Sequence, residues 1–216
     1  MGNDNLAEPG THEFDVVASE DIHIGRVVGL RVDDVVMPGG KVGRREIVEH
    51  LGAVAIVAID DDEQVTLISQ YRHPIGRRLL ELPAGLLDVA GEDPMVTARR
   101  ELREEAGLTA ERWDTLADVA ASTGFTDEVV RVYLARELTV VDREIAAGDE
   151  EADIVLTRMP LAEAVRRVLA GELINGATVS GVLAAHAVLT GAAKPRPADA
   201  PWRDRPTAFA KRKHGG

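Results

Sequence analysis

Glu101, Glu104 and Glu105 stand three and four residues apart in the run Arg100-Glu101-Leu102-Arg103-Glu104-Glu105-Ala106-Gly107-Leu108. On a helix with 3.6 residues per turn, those spacings gather three carboxylates on one face. Like charges held so close destabilise a helix unless a cation neutralises them. A hard divalent ion such as Mg²⁺ or Mn²⁺ does this with oxygen ligands and commonly contacts a phosphate as well. The bland alternative is an acidic face turned to solvent.

The flanking residues argue against that alternative. Asp93-Pro94 is a helix start, because Asp accepts orphan backbone N–H groups and Pro suits the first helical position. Ala98, Leu102 and Ala106 repeat every four residues as a buried stripe, and Gly107 suits the C-terminal cap. Just upstream, Leu82-Pro83-Ala84-Gly85 reads as a tight loop able to bring bare backbone carbonyls near the helix. Loop, helix and paired acids together resemble the Nudix box of the Nudix hydrolases, which cleave nucleoside diphosphates linked to another group. One spacing departs from that box, with six residues between Gly85 and Glu92 where five are usual. Either Gly85 opens a loop one residue longer, or Leu86 takes the glycine slot. The insertion precedes the helix and leaves the glutamate spacing intact.

At 216 residues the chain is long enough for a catalytic domain with appendages. Aromatics are only 3% of it, so Val, Ala, Leu and Ile must fill the core. No apolar run reaches the roughly 20 residues that span a bilayer. Residues 1–5 lack the basic-then-apolar order of a secretory leader, so no membrane partner and a cytoplasmic location are expected. Without Cys there are no disulfides or thiolate metal sites. The net charge of −12 is uneven, since residues 194–216 carry seven Lys or Arg against two Asp. The acidic body would repel a nucleic-acid backbone, which argues against that partner. The six histidines show no ligand spacing.

Residues 13–38 alternate as two strands, and 41–51 as a third after Met37-Pro38-Gly39-Gly40. Residues 54–59 are a continuous apolar run, as in a strand buried on both faces. Residues 65–71 return after an acidic turn, and 113–121, 129–136 and 154–158 read as the remaining strands. Besides the box helix, 161–169 and 179–189 have helical periodicity. Few helices among hairpin-linked strands favour a mixed sheet. The tail after Lys194, broken by four prolines, reads as extended.

The Nudix resemblance implies an α/β (α+β) fold, an α/β/α sandwich with a mixed central sheet. Several segments narrow it to the ADP-ribose pyrophosphatase branch, actinobacterial type. They are Val48-Glu49-His50, Gln70-Tyr71-Arg72 with Glu81-Leu82-Pro83-Ala84-Gly85, Ser122 to Glu128, and Trp202 to Ala210. In that branch residues 1–50 are a strand-rich arm exchanged between two subunits, 51–193 the catalytic domain and 194–216 a basic tail. A homodimer is therefore expected.

The same resemblance supplies roles. Glu101, Glu105 and the Ala84 carbonyl would hold two or three Mg²⁺ or Mn²⁺ ions. Glu104 would ligate another ion or fix the water shells of the others, and Arg100 would orient a box carboxylate. The run Asp149-Glu150-Glu151-Ala152-Asp153 corresponds to a loop whose glutamate acts on the attacking water, with Glu151 the better match and Glu150 beside it. Arg45, ahead of Arg44, would reach the nucleotide. Arg72 and Glu81 would serve the diphosphate, and Gly124, Thr126 and Glu128 the terminal ribose. The implied reaction is hydrolysis of ADP-ribose to AMP and ribose 5-phosphate. Its rivals are the same chemistry on a nucleotide sugar or dinucleotide, and a non-catalytic ADP-ribose sensor.

Overall fold

The computed structural model describes residues 12–143 and 153–214. Its contacts divide the chain into two compact units, one of residues 53–119 and 130–200, the other of 1–52, 120–129 and 201–216. Residues 194–200 cluster with the first unit and 201–214 with the second.

The larger unit is built on a mixed sheet. Its strands are β4 (Ala53–Ile59), β5 (Gln64–Arg72), β6 (Arg77–Glu81), β7 (Ala84–Leu86), β8 (Leu108–Ala120), β9 (Val129–Val140), β10 (Val155–Pro160) and β11 (Arg196–Pro197). The spatial order is β10-β5-β4-β9-β8-β11, with β6 on β5 and β7 on β4. β4 runs parallel to β9 and antiparallel to β5 and β7. Period-two alternation gives the sheet two apolar faces. Ala55, Val57, Val132 and Leu134 point into a core closed by Leu161, Ala164, Val182 and Ala185. These last come from α2 (Leu161–Leu169) and α3 (Gly176–Leu189). The intervening Val54, Ile56 and Ala58 are fully buried on the other face, where α1 (Pro94–Ala106) packs on β4. The result is the expected α/β/α sandwich, and its core is aliphatic apart from residues such as Trp113 and Tyr133.

The second unit carries an antiparallel meander of β1 (Val16–Ile24), β2 (Val28–Val36) and β3 (Val42–His50). The expectation of an extended tail fails here, because α4 (Ala208–His214) is helical. Phe209 supplies the reason, being fully buried, and a Cβ on Gly29 in β2 would stand 2.8 Å from its ring. Among the described residues no helix is long and apolar enough to cross a membrane.

Candidate active site

The box helix forms as its caps dictate. The Asp93 carboxylate accepts from Met95 N–H at 2.8 Å, Pro94 opens the helix, and Gly107 closes it in the left-handed conformation. With Ala98 and Leu102 driven into the sheet, the helical phase turns Glu101 and Glu105 inward, and they remain only 8% and 5% exposed. Two carboxylates are buried this deeply only where partners offset the desolvation.

The backbone of β7 supplies part of that compensation. Ala84 N–H donates to Glu105 Oε2 at 2.8 Å. At the next residue, a Cβ on Gly85 would collide with Cγ, Cδ and Oε1 of Glu101. Position 85 is thus one where the close approach of Glu101 calls for glycine, in keeping with the reading in which Gly85 opens a loop one residue longer. Arg100 supplies the opposite charge, donating from Nη1 to Glu101 Oε1 at 2.8 Å and to Glu104 Oε2 at 2.9 Å. Its burial opposes the charge, but Glu101 and Glu104 outweigh that, so its pKa is held above the ordinary value. Arg100 also lies 3.7 Å from Glu92, which accepts from Thr97 Oγ1 at 2.6 Å. Glu104 itself is half-buried, apart in environment from the other two glutamates.

Among the described residues no three acidic or imidazole side chains converge in ligating geometry. The arrangement is two inward carboxylates against the Ala84–Gly85 backbone, all hard oxygen or amide groups. That fits Mg²⁺ or Mn²⁺, which bind through one or two carboxylates plus substrate phosphate rather than an all-protein cage.

On the edge of the same unit, Arg72 donates from Nε and Nη2 to Glu81 Oε2 at 2.9 and 2.6 Å. Glu81 is 1% exposed, and its Oε1 has no hydrogen-bond partner. Sequence reasoning assigned both residues to substrate without foreseeing that they bind each other. It also missed a partly buried ion network. Arg131 donates to both oxygens of Asp118 at 2.7 and 3.1 Å, and Arg196 adds a bond at 2.9 Å. Burial pushes the Asp118 pKa up, but the two arginines overcome it and hold it below the ordinary range. A lone arginine in an apolar strand, as at Arg131, was the available signal.

The second unit gathers Arg45, Gly124 and Thr126 around one cavity of about 1040 Å³. Residues 122–128 are clipped to β3, since Val48 N–H donates to Phe125 O at 2.7 Å and His50 N–H to Asp127 Oδ1 at 2.8 Å. Burial holds the Asp127 carboxyl above its usual range against the pull of that N–H. Glu128 lies beside His50, with Oε1 3.8 Å from Nδ1, and does not line the cavity. Arg45 is tethered to Arg44 O and the Met37 sulfur. Glu150 and Glu151 lie outside the described residues.

An α/β/α sandwich that buries two helix glutamates against a glycine-bearing strand defines a class of protein, and the comparison with known families agrees. The NUDIX domain model matches residues 49–176, and the chain belongs to the Nudix family. Among individual proteins, it is 57% identical to the ADP-ribose pyrophosphatase of Mycobacterium tuberculosis over 94% of this chain and 97% of that one. It is 42% identical to the methanol dehydrogenase activator of Bacillus methanolicus over 79% of this chain and 91% of that one. A solved structure described as an ADP compounds hydrolase superposes with a TM-score of 0.72 at 23% identity, covering 85% of this chain and 97% of that one, which speaks to the fold.

Proposed function

We propose that this chain is a metal-dependent hydrolase that adds water across the diphosphate of ADP-ribose, releasing AMP and ribose 5-phosphate. The observation that carries the reading is the burial of Glu101 and Glu105 against the Ala84–Gly85 backbone, in a chain so similar to an ADP-ribose pyrophosphatase. Glu101, Glu105 and the Ala84 carbonyl would hold two or three Mg²⁺ or Mn²⁺ ions. When bound, such ions polarise phosphoryl oxygens and offset the charge of the diphosphate.

The remaining roles belong to the protein's own groups. Ala84 N–H fixes Glu105, and Arg100 orients Glu101 and Glu104, as outer partners of metal ligands do. Glu151, with Glu150 as the neighbouring candidate, takes the proton of the attacking water, a role worth about 10²–10⁴-fold. Arg72, held by Glu81, meets the diphosphate with its exposed side. Arg45 binds the nucleotide, Gly124 and Thr126 bound the terminal ribose, and Glu128, beside His50 and off the cavity, acts through the loop that carries them. Residues 1–50 serve as the arm of a homodimer, and the enzyme works in the cytoplasm.

The test is phosphate-ester release from a panel of ADP-ribose, a nucleotide sugar and a dinucleotide, with Mg²⁺ and with Mn²⁺. ADP-ribose is expected to give the highest kcat/KM. A preference of about tenfold or more for another member, roughly 1.4 kcal/mol of transition-state discrimination, would overturn the substrate assignment.

A further inference from the structure

The C-terminal segment is a built part of the cavity in the second unit. Residues 202–208 line it together with Arg45 and residues 123–127. The segment is fixed from its far end. Phe209 is buried over Gly29, where a side chain would collide with its ring. Arg212 pairs with Glu49, a carboxylate 1% exposed, and donates to Asp21. Glu49 also accepts from Arg31 at 2.5 Å, so the anchor rests first on the burial of Phe209, with Arg212 adding its ion pairs. Residues 202–208 are therefore a held wall of the cavity.

The wall has the chemistry of a nucleotide site. Trp202 lines the cavity, as does Phe125, which is 54% exposed although aromatic. Arg45 and Arg205 line the same space with Glu46 and Asp204, so cationic side chains stand there beside residues able to accept from hydroxyl and amino groups. A cavity of about 1040 Å³ is of the size that holds a small-molecule ligand. Aromatic faces beside arginines fit a flat base carrying a phosphate.

We propose that Trp202 and Arg205 bind the AMP half of the substrate, which makes the C-terminal segment a specificity element of the site. The inference rests on the ADP-ribose reading above and deepens it.

The experiment uses the full chain with Trp202→Ala, Trp202→Phe or Arg205→Ala. Its readouts are KM and kcat for ADP-ribose and calorimetric Kd values for AMP and for ribose 5-phosphate. Loss of base stacking in Trp202→Ala is expected to raise KM and the AMP Kd by about tenfold or more. Trp202→Phe recovers most of that loss, and kcat and the ribose 5-phosphate Kd stay within about threefold. Should Trp202→Ala fail to fold, the same rise in KM and AMP Kd is required of Arg205→Ala. Wild-type hydrolysis with variants unchanged in KM and AMP affinity overturns this inference alone. Equal weakening for ribose 5-phosphate overturns the assignment to the AMP half. A wild-type chain inert to ADP-ribose that still binds AMP through Trp202 supports the wall and overturns the substrate reading. One that neither hydrolyses ADP-ribose nor binds AMP overturns both.

Discussion

Gly85 in β7 lies so close to the Glu101 side chain that no Cβ fits between them. The collision involves Cγ and Cδ as well as the carboxylate oxygen, so a rotation at the end of the side chain does not relieve it. Gly85→Ala should therefore displace the Glu101 carboxylate while leaving the core of α1, built on Ala98 and Leu102, in place. The expected outcome is a fall in kcat of about 10²-fold, as misplacement by about 1 Å can cause. Steady-state kinetics with a thermal melt would check it; wild-type turnover in a folded Gly85→Ala protein would show that Glu101 is not held where we describe.

Changing the ligands themselves separates charge from shape. Glu101→Gln and Glu105→Gln keep volume and hydrogen-bonding length but remove a negative charge that a hard cation needs. We expect kcat to drop by at least about 10²-fold with the fold intact. Circular dichroism alongside turnover would detect this, and near-normal rates in both variants would remove the metal assignment.

The acidic run before β10 makes a ranked prediction. Glu151→Gln should lower kcat by about 10²-fold or more with KM nearly unchanged, and Glu150→Gln should be milder. Only one side chain can lie in line with the leaving group. The reverse ranking moves the role to Glu150. A double variant hydrolysing ADP-ribose at the wild-type rate would make the run an ordinary solvated turn.

The meander of β1 to β3 carries a prediction about assembly. Its first strand is exposed along its whole length, including Val16, Val17, Ile22 and Ile24. Such a surface is expected to be covered by a second copy in a symmetric dimer. Light scattering at micromolar concentration should return twice the chain mass; a monomer would refute the arm.

The Asp118 network predicts an acid dependence. Its folded pKa lies below the unfolded value, so its contribution to stability is present above the unfolded pKa and is lost as pH falls through the folded one. Asp118→Asn should cost about 1–3 kcal/mol near neutral pH, because Arg131 and Arg196 lose a charged acceptor. The gap between variant and wild type should close once pH drops well below about 4, the ordinary Asp value. Chemical denaturation between pH 7 and pH 3 measures it, and a gap independent of pH would deny the linkage.

Much of this protein was legible in one dimension, for reasons that are local. The start at Asp93-Pro94, the stop at Gly107 and the helix of 161–169 are written in caps and periodicity, and the structure has them at those positions. The buried run of β4 was readable because a strand covered on both faces has no polar residue to show. Spacing placed Glu101, Glu104 and Glu105 on one face.

Tertiary packing decided the rest. Which of the three glutamates go inside depends on where β7 crosses the helix, and β7 exists as a strand only through its pairing with Ala53 to Ala55. The helical turn in the proline-broken tail exists because Phe209 found a slot at Gly29, a residue 180 positions away in sequence. The mutual bond of Arg72 and Glu81, and the triad of Asp118, Arg131 and Arg196, likewise join side chains from different strands that the folded sheet brings within reach. Local chemistry specifies caps, faces and periods, whereas the partner of a buried charge is chosen by whichever distant group the fold brings within reach.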